Sequence, residues 1–373
     1  MEKVATVADV SIMDKVGIYV HVPFCKSRCK YCNFYTLTGC DELIVPYFNA
    51  LKLEIANYPR LEVDTIYFGG GTPTYAGVTR VSELLEFIRE RHTVSEDCEI
   101  TVECNPGTVD TLGFTALLEA GVNRVSIGVQ SANNCELNML GREHTFLEAQ
   151  DCVKAARSAG LSNISVDLMF GLPLQGLHNF ETTLKTVAAL DVTHISAYEL
   201  KVEEGTPFHT IAPQLPDEDI VADMYEMMVE FLEKKGFMRY EISNFAKIGY
   251  ESRHNLKYWQ CLDYIGIGAA AHSCFCGKRY SNVEDVGDYI AGGARCAAGE
   301  FMSEEFVFLG LRTTNGIDID EFERRFGMTV FDKFGEKIAE LKARKLLCEE
   351  GGRLFIPQKL MFVSNSIMYE FVM

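Results

Sequence analysis

From residue 17 the chain alternates, six times over, between a short run rich in β-branched residues and a longer stretch with apolar residues at helical spacing. The runs are GIYVHV (17 to 22), TIYFGG (65 to 70), EITVEC (99 to 104), RVSIGVQ (124 to 130), ISVDLMF (164 to 170) and HISAYEL (194 to 200). Helices are predicted at 41 to 58, 79 to 92, 108 to 121, 145 to 160, 177 to 191 and 217 to 236, the last with Val221, Met224, Tyr225, Met228, Phe231 and Leu232 on one stripe. Strands joined through crossovers of this length must run parallel. Such units close as a doubly wound sheet or as a barrel, and a pattern that stops at six does not support an eight-stranded barrel. In both closures a site forms at the strand C-termini, where the polar residues of this chain gather.

Beyond residue 237 the period changes. Residues 1 to 237 form the βα region, 238 to 300 read as an irregular connection rich in Gly, Tyr, Asn and Cys, and 301 to 373 as a small α+β, winged-helix-like domain. In that last part Gly351-Gly352 separates two apolar runs as a hairpin turn would.

The formal charge of −18 argues against nucleic acid as a partner, since a polyphosphate needs a basic surface. An apolar content of 47% excludes disorder as the main theme. The first 15 residues lack the pattern of an export signal and no run reaches the ~18 apolar residues of a membrane span, so a cytoplasmic protein is expected. No polybasic patch is evident to draw it to anionic lipid. Thirteen cysteines, an odd number, then read as reduced thiols of which a few carry chemistry.

Those few follow the first strand. Cys25, Cys29 and Cys32 stand in a C-x3-C-x2-C spacing, close enough to converge on one centre, and soft sulfur selects zinc, copper(I) or iron–sulfur. A structural zinc site asks for a fourth ligand. An iron–sulfur cube on three cysteines leaves one iron to be chelated by a small molecule. One unit later comes Gly69-Gly70-Gly71-Thr72-Pro73, whose glycines admit close approach of backbone to a ligand.

At these residues the chain resembles the radical S-adenosylmethionine (SAM) enzymes, and the resemblance implies a [4Fe-4S] cluster on Cys25, Cys29 and Cys32. In that family the reduced cluster passes an electron to the sulfonium and a deoxyadenosyl radical results. The resemblance assigns cofactor contacts to Gly70, Gly71, Thr72, Glu103, Gln130, Arg142 and Asp167, with Tyr19 and Tyr31 flanking. His21 beside the loop either tunes the cluster or orders the loop.

The motifs YVHVPFC, YFGGGTP, VECNP, SIGVQS, LGREH and DLMFGLP are similar to those of the oxygen-independent coproporphyrinogen III oxidase family, over nearly the whole chain. That resemblance implies an α/β fold, an open partial TIM barrel of six βα units, with a small C-terminal domain. Two branches differ: the oxidase, which decarboxylates two propionates of coproporphyrinogen III, and the HemW branch of haem chaperones, which delivers haem to respiratory proteins. Phe34 stands where the oxidase has a fourth cysteine, only 18 residues precede Tyr19 where the oxidase has an extension, and His254-Asn255-Leu256-Lys257-Tyr258-Trp259 matches the HNxxYW motif of the chaperone branch. The expectation is a haem chaperone, with the oxidase as the alternative.

From spacing alone, His254 is a histidine hydrogen-bonded inside a Tyr- and Asn-rich loop with Trp259 as a core anchor; the resemblance links it to haem. His272, Cys274 and Cys276 read as a buried loop rather than a second ligand set, and Cys40, Cys98, Cys104, Cys135 and Cys152 as core or near-core thiols.

Overall fold

The computed structural model describes residues 15 to 293 and 295 to 372. The six runs become parallel strands lying side by side in chain order: β1 (Val16–Val22), β2 (Glu62–Gly70), β3 (Thr93–Cys104), β4 (Arg124–Gln130), β5 (Asn163–Phe170) and β6 (His194–Glu199). Their crossovers carry α1 (Ile44–Ala56), then α2 (Pro73–Ala76) and α3 (Val78–Arg91), α4 (Thr111–Glu119), α5 (Asn134–Leu140) and α6 (Phe146–Ser158), and α7 (Leu177–Val187). After β6 come α8 (Pro207–Ile211) and α9 (Glu218–Lys234). The four-residue α2 and seven-residue α5 are too short to show a period; Pro73 in the first turn of α2 and the left-handed Gly141 closing α5 are their local causes.

Strand periodicity divides the sheet into an oily outside and a polar inside. Ile18, Val20, Ile66, Phe68, Val102, Val125, Ile127, Val166 and Leu168 join the core beneath the helices. The alternate positions Tyr67, Glu103, Arg124, Ser126, Gly128, Asp167 and Ser196 line a central cavity. Register sets Glu103 beside Ser126 and Ser165 in one row, and Gly128 beside Asp167 and Ser196 in the next. A filled apolar barrel interior is thereby replaced by a lumen that can receive a polar ligand.

The segment 238 to 300, expected as an irregular connection, instead extends this sheet at both edges. β7 (Met238–Arg239) and β8 (Asn244–Ala246) add antiparallel strands beside β6. After α10 (Arg253–Trp259) the chain reaches the opposite edge, where β9 (Tyr264–Ile267) pairs parallel with β1. β10 (His272–Phe275), β11 (Lys278–Ser281) and β12 (Cys296–Glu300) complete a meander around α11 (Val286–Ile290). Strands of two to five residues give no readable alternation, which is why composition alone suggested a loop. The twelve strands form one mixed sheet whose end strands, β12 and β7, do not pair with each other. It is an open barrel.

His272, Cys274 and Cys276 therefore belong to a strand and its turn, not to a buried loop: Cys274 is buried while His272 and Cys276 are exposed. Of the scattered thiols, Cys98, Cys104 and Cys152 are buried as expected, but Cys40 is half-buried and Cys135 exposed.

The last domain holds α12 (Ser303–Gly310), β13 (Ile317–Asp318), α13 (Ile319–Phe326), α14 (Val330–Ala343), β14 (Cys348–Glu350), β15 (Arg353–Phe355) and α15 (Ser364–Tyr369), around its own core of Phe306, Phe322, Leu341 and Ile356. Gly351 and Gly352, at φ +58° and +75°, make the two-residue turn between β14 and β15, a backbone path that favours glycine at both positions. Among the described residues no helix is long and apolar enough to cross a membrane.

One buried carboxylate stitches the added strands to the barrel. Glu54 on α1 accepts from Gly268 N at 3.0 Å, Asn282 Nδ2 at 2.9 Å, Tyr289 Oη at 2.6 Å and Arg295 Nη2 at 3.0 Å. Glu54→Ala leaves these donors unmet and is expected to cost about 3 kcal/mol. Urea unfolding should show the lowered midpoint, and an unmoved midpoint would mean the segment 266 to 295 is held by other contacts.

Candidate functional site

The cysteine loop is fastened to the sheet from several sides. Leu37 N donates to Pro23 O at 2.7 Å and Cys25 N to Leu37 O at 2.9 Å, closing the loop on itself. Lys30 N donates to Leu140 O at the end of α5, and Phe208 N of α8 to Lys30 O, each at 2.9 Å. His21 Nε2 donates to Tyr35 O at 3.0 Å; a carbonyl can only accept, so Nδ1 is the bare nitrogen and takes the Tyr19 hydroxyl at 2.9 Å. Burial keeps this imidazole neutral by lowering its pKa. Of the two roles expected for His21, loop ordering is the one its contacts perform.

Cys25, Cys29 and Cys32 all line one end of a cavity of about 420 Å³ at the C-terminal mouth of the strands. Burial pushes the Cys25 thiol up to about 11, and the nearby Cys32 and Cys29 add to the rise. Burial raises Cys32 as well. Burial thus favours the protonated form of both, and a metal centre that binds them must displace those protons. Among the described residues no three His, Cys, Asp or Glu side chains are gathered tightly enough to share one metal ion.

The glycine segment enters at the same mouth. Gly71 N donates to Val22 O and Thr72 N to Phe24 O, each at 2.9 Å, so this backbone lies flush against the end of β1. A Cβ at Gly71 would come within 2.8 Å of Val22 O, Pro23 C and Phe24 O. At Gly70, φ is +105° and a Cβ would strike the His21 ring. Gly70 and Gly71 line the cavity; Thr72 borders a smaller recess on its outer side.

From Thr72 a chain of hydrogen bonds crosses the cavity wall. Its Oγ1 lies 3.5 Å from Cys25 Sγ and accepts from Asn105 Nδ2 at 2.7 Å. Arg142 Nη2 donates to Asn105 Oδ1 at 2.5 Å and to Gly128 O at 2.6 Å, while Nη1 reaches Cys29 Sγ at 3.5 Å. Gly141, left-handed at φ +76°, turns the chain at the end of α5 and so brings Arg142 back under the loop. Arg142 Nε is buried without a partner. Gln130 reaches the cavity through a bulge: register with β5 slips between Gly128 and Gln130, and Gln130 takes φ +70°. A left-handed non-glycine of this kind costs of order 1 kcal/mol and is characteristic of binding sites.

Two carboxylates occupy the lumen. Glu103 accepts from Tyr67 Oη at 2.7 Å and from Gly70 N at 3.2 Å, and burial still pushes its pKa up to about 7. Asp167 accepts from Ser126 Oγ at 3.1 Å and is likewise raised by burial. Arg124, almost wholly buried, puts a positive charge in the same lining, and its Nε and Nη1 have no hydrogen-bond partner. A cavity with two carboxylates, a guanidinium at its wall and three thiols at its mouth fits a ligand carrying both a sulfonium and a carboxylate beside an iron–sulfur cluster.

Not every predicted residue meets this cavity. Tyr31 lines it, with its hydroxyl held near Cys29 and Arg142 and burial raising its pKa. Tyr19 does not; it bonds His21 and lies against Tyr67 and His254. Asn105, Tyr67, Arg124, Ser126, Ser196 and Tyr198 were missed. Asn105 stands two residues from Glu103, and Ser126, Ser196 and Tyr198 occupy inward positions that the alternation could have marked.

The HNxxYW motif is at the opposite end of the barrel. Glu99 accepts from Arg253 N and His254 N, each at 3.0 Å, and fixes the start of α10 beneath β3. Lys257 pairs with Asp64 at 2.9 Å and donates to Lys15 O at 2.7 Å. His254 is wholly buried, with Nδ1 bonded to Thr65 Oγ1 and Nε2 to Tyr258 Oη, each at 2.8 Å, and its ring stacks on Tyr67 at 5.3 Å. Burial, with Lys257 and Arg124 nearby, lowers its pKa to about 3. The histidine is a neutral plug under Tyr67, with neither nitrogen open to a haem iron in this arrangement.

Two outcomes are expected. Replacing Cys25, Cys29 and Cys32 together by Ala should abolish iron and sulfide uptake on anaerobic reconstitution; retained cluster absorbance would place the centre elsewhere. For Glu103, the folded value near 7 lies above the free value of 4.5, so ionisation favours the unfolded chain. Below about pH 4.5 the group is neutral in both states and costs nothing; the cost grows through pH 7 to roughly 3 kcal/mol. Glu103→Gln should then be more stable than the parent at pH 8, with the gap narrowing at pH 5, as urea midpoints at the two pH values will show. A gap independent of pH would mean Glu103 is not desolvated.

A family model for the radical SAM superfamily matches residues 19–187, and one for the HemN C-terminal domain matches residues 301–363. The heme chaperone HemW of Lactococcus lactis is 35% identical over 366 residues, covering 95% of this chain and 97% of the relative. That of Bacillus subtilis is 35% identical over 372 residues, covering 95% and 98%. Radical S-adenosyl methionine domain-containing protein 1, mitochondrial, of Mus musculus is 35% identical over 367 residues, covering 90% and 83%. Among solved structures, coproporphyrinogen III oxidase (HemN) of Escherichia coli shares the fold, with a TM-score of 0.84 over 96% of this chain and 90% of that one at 22% identity. Identity of this level along nearly the full length of both chains, and not over one domain alone, makes the chain a member of the HemW family within the radical SAM superfamily.

Proposed function

We propose that the chain is a haem chaperone, which binds haem and passes it to respiratory acceptor proteins in the cytoplasm, and that it carries a radical SAM core. The observation that supports this most is the length of the likeness: relatives named heme chaperone align over 95% of the chain.

Cys25, Cys29 and Cys32 would hold a [4Fe-4S] cluster, which when bound supplies an electron to the sulfonium of SAM. The chain's own residues do the rest by position and charge. Gly70, Gly71 and Thr72 would let backbone approach the amino end of the ligand, and Arg142, whose Nε is buried without a partner, would meet its carboxylate. Gln130, Glu103 and Asp167 would face its ribose and cationic centre. A cation in the lumen draws Glu103 toward its ionised form, so the desolvation that weakens the empty fold is offset when the ligand enters. Tyr31 and the loop around it exclude water from the mouth.

The alternative is oxidative decarboxylation of coproporphyrinogen III, which the shared fold with the HemN oxidase favours. Phe34, 64% exposed beside the cysteine loop, offers no fourth thiol there. The deciding measurement uses anaerobically reconstituted protein with SAM. Haem binding at 1:1 stoichiometry without protoporphyrinogen formation is expected; turnover of coproporphyrinogen III would replace the chaperone reading with the oxidase.

A further inference from the structure

A second cleft, of about 930 Å³, lies between α10 and the C-terminal domain, away from the cysteine loop. Helix α10 divides its side chains between the two spaces, with Asn255 lining the lumen. His254 and Tyr258 turn inward beneath Tyr67, whereas Leu256 and Trp259 line the cleft together with Phe306 and Ile317 from the C-terminal domain. Trp259 is the chain's one tryptophan. Arg312 covers one face of its ring at 4.4 Å, and its indole Nε1 is buried without a hydrogen-bond partner.

We infer that this cleft, and not the barrel lumen, holds the tetrapyrrole, with its flat face against Trp259 and Leu256 and its two carboxylates at the arginines of the rim. The inference rests on the haem reading above. Three observations select this cleft. The lumen, at about 420 Å³, is less than half its volume. The cleft offers an aromatic and aliphatic wall of the kind that takes flat apolar molecules. At its rim Arg324 and Arg353 are bonded to carboxylates, Arg324 to Glu321 at 2.6 Å and Arg353 to Asp318 at 3.3 Å. At 66% and 41% exposure the side chains of Arg324 and Arg353 are open to an incoming carboxylate, while Glu321 and Asp318 hold them in place.

The residues lining the cleft include no His, Cys or Met, and the Tyr240 hydroxyl is engaged with His194 Nε2 at 2.9 Å. Recognition then runs through the macrocycle and its carboxylates rather than through an iron bond. Iron-free protoporphyrin should bind within a few-fold of haem, and its dimethyl ester more weakly.

The test titrates the full chain with haem and with iron-free protoporphyrin, for the parent, Leu256→Glu and Arg324→Glu. Hydrogen exchange is followed in the same samples. Leu256→Glu sets a charge against the macrocycle and should weaken both ligands by about tenfold or more. Arg324 is exposed, so its variant folds normally and should lose a smaller factor that the dimethyl ester does not show. In the parent, haem should protect residues 256 to 262 and 313 to 318. If the parent binds haem but protection falls on 27 to 34 and 196 to 203, with both variants unchanged, the placement is overturned and the haem reading stands. If the parent binds no haem, the reading itself fails and the placement with it.

Discussion

Burying negative charge inside a parallel barrel is the constraint around which this structure is organised. Glu103 and Asp167 are out of water, and burial outweighs the hydrogen bonds from Tyr67, Gly70 and Ser126, leaving both carboxyls with raised pKa values. A protein selected for stability alone would fill this lumen with Val, Ile and Leu in layers. Here the apolar residues are spent on the outer face, under the helices, and the inner face is left polar. The unmet hydrogen-bonding groups of Arg124 and Arg142 point the same way, because buried polar atoms without partners concentrate where a ligand or ordered water completes them.

The two ends of the barrel carry out different tasks with the same economy of contacts. At the C-terminal mouth, loops are tied by backbone bonds to one another and to the strand ends, so the three thiols and the glycine segment face one space. At the other end α10 acts as a stopper, fastened by Glu99, Asp64 and Thr65 from the strand starts. His254 supports Tyr67 from below, and Tyr67 in turn bonds Glu103. A contact path of three side chains thus joins the floor of the barrel to the carboxylate in its lumen. The other face of α10 borders the second cleft, so one short helix is shared between the lumen and the C-terminal domain.

Much of the fold was legible because it obeys long periods. The strand at 124 to 130 has the bounds its β-branched run gave it, and the helix at 217 to 236 differs by one or two residues at each end. The region 238 to 300 was illegible for the converse reason: its strands pair with partners as far as 247 residues away, as Gly17 with Tyr264, and too few side chains alternate to register as strand. The cysteines and glycines could be named because each run follows a strand whose direction was already known, whereas Glu103, Gln130, Arg142 and Asp167 were named through the family resemblance. Arg124 shares the inward face of its strand with Ser126 and Gly128, but its burial without partners at Nε and Nη1 is supplied only by the packing.

Sequence alone determined which residues could do chemistry: three thiols at fixed spacing, a glycine run that admits a ligand, and acidic and basic residues at strand ends, all following from local chain geometry and side-chain chemistry. Tertiary structure decided which of them share a space and on what terms. It set His254 under Tyr67 with both ring nitrogens bonded, took Tyr19 into the wall, and raised Glu103 toward neutrality. Burial and partner geometry depend on contacts between segments far apart in the chain, and no spacing within one segment encodes them.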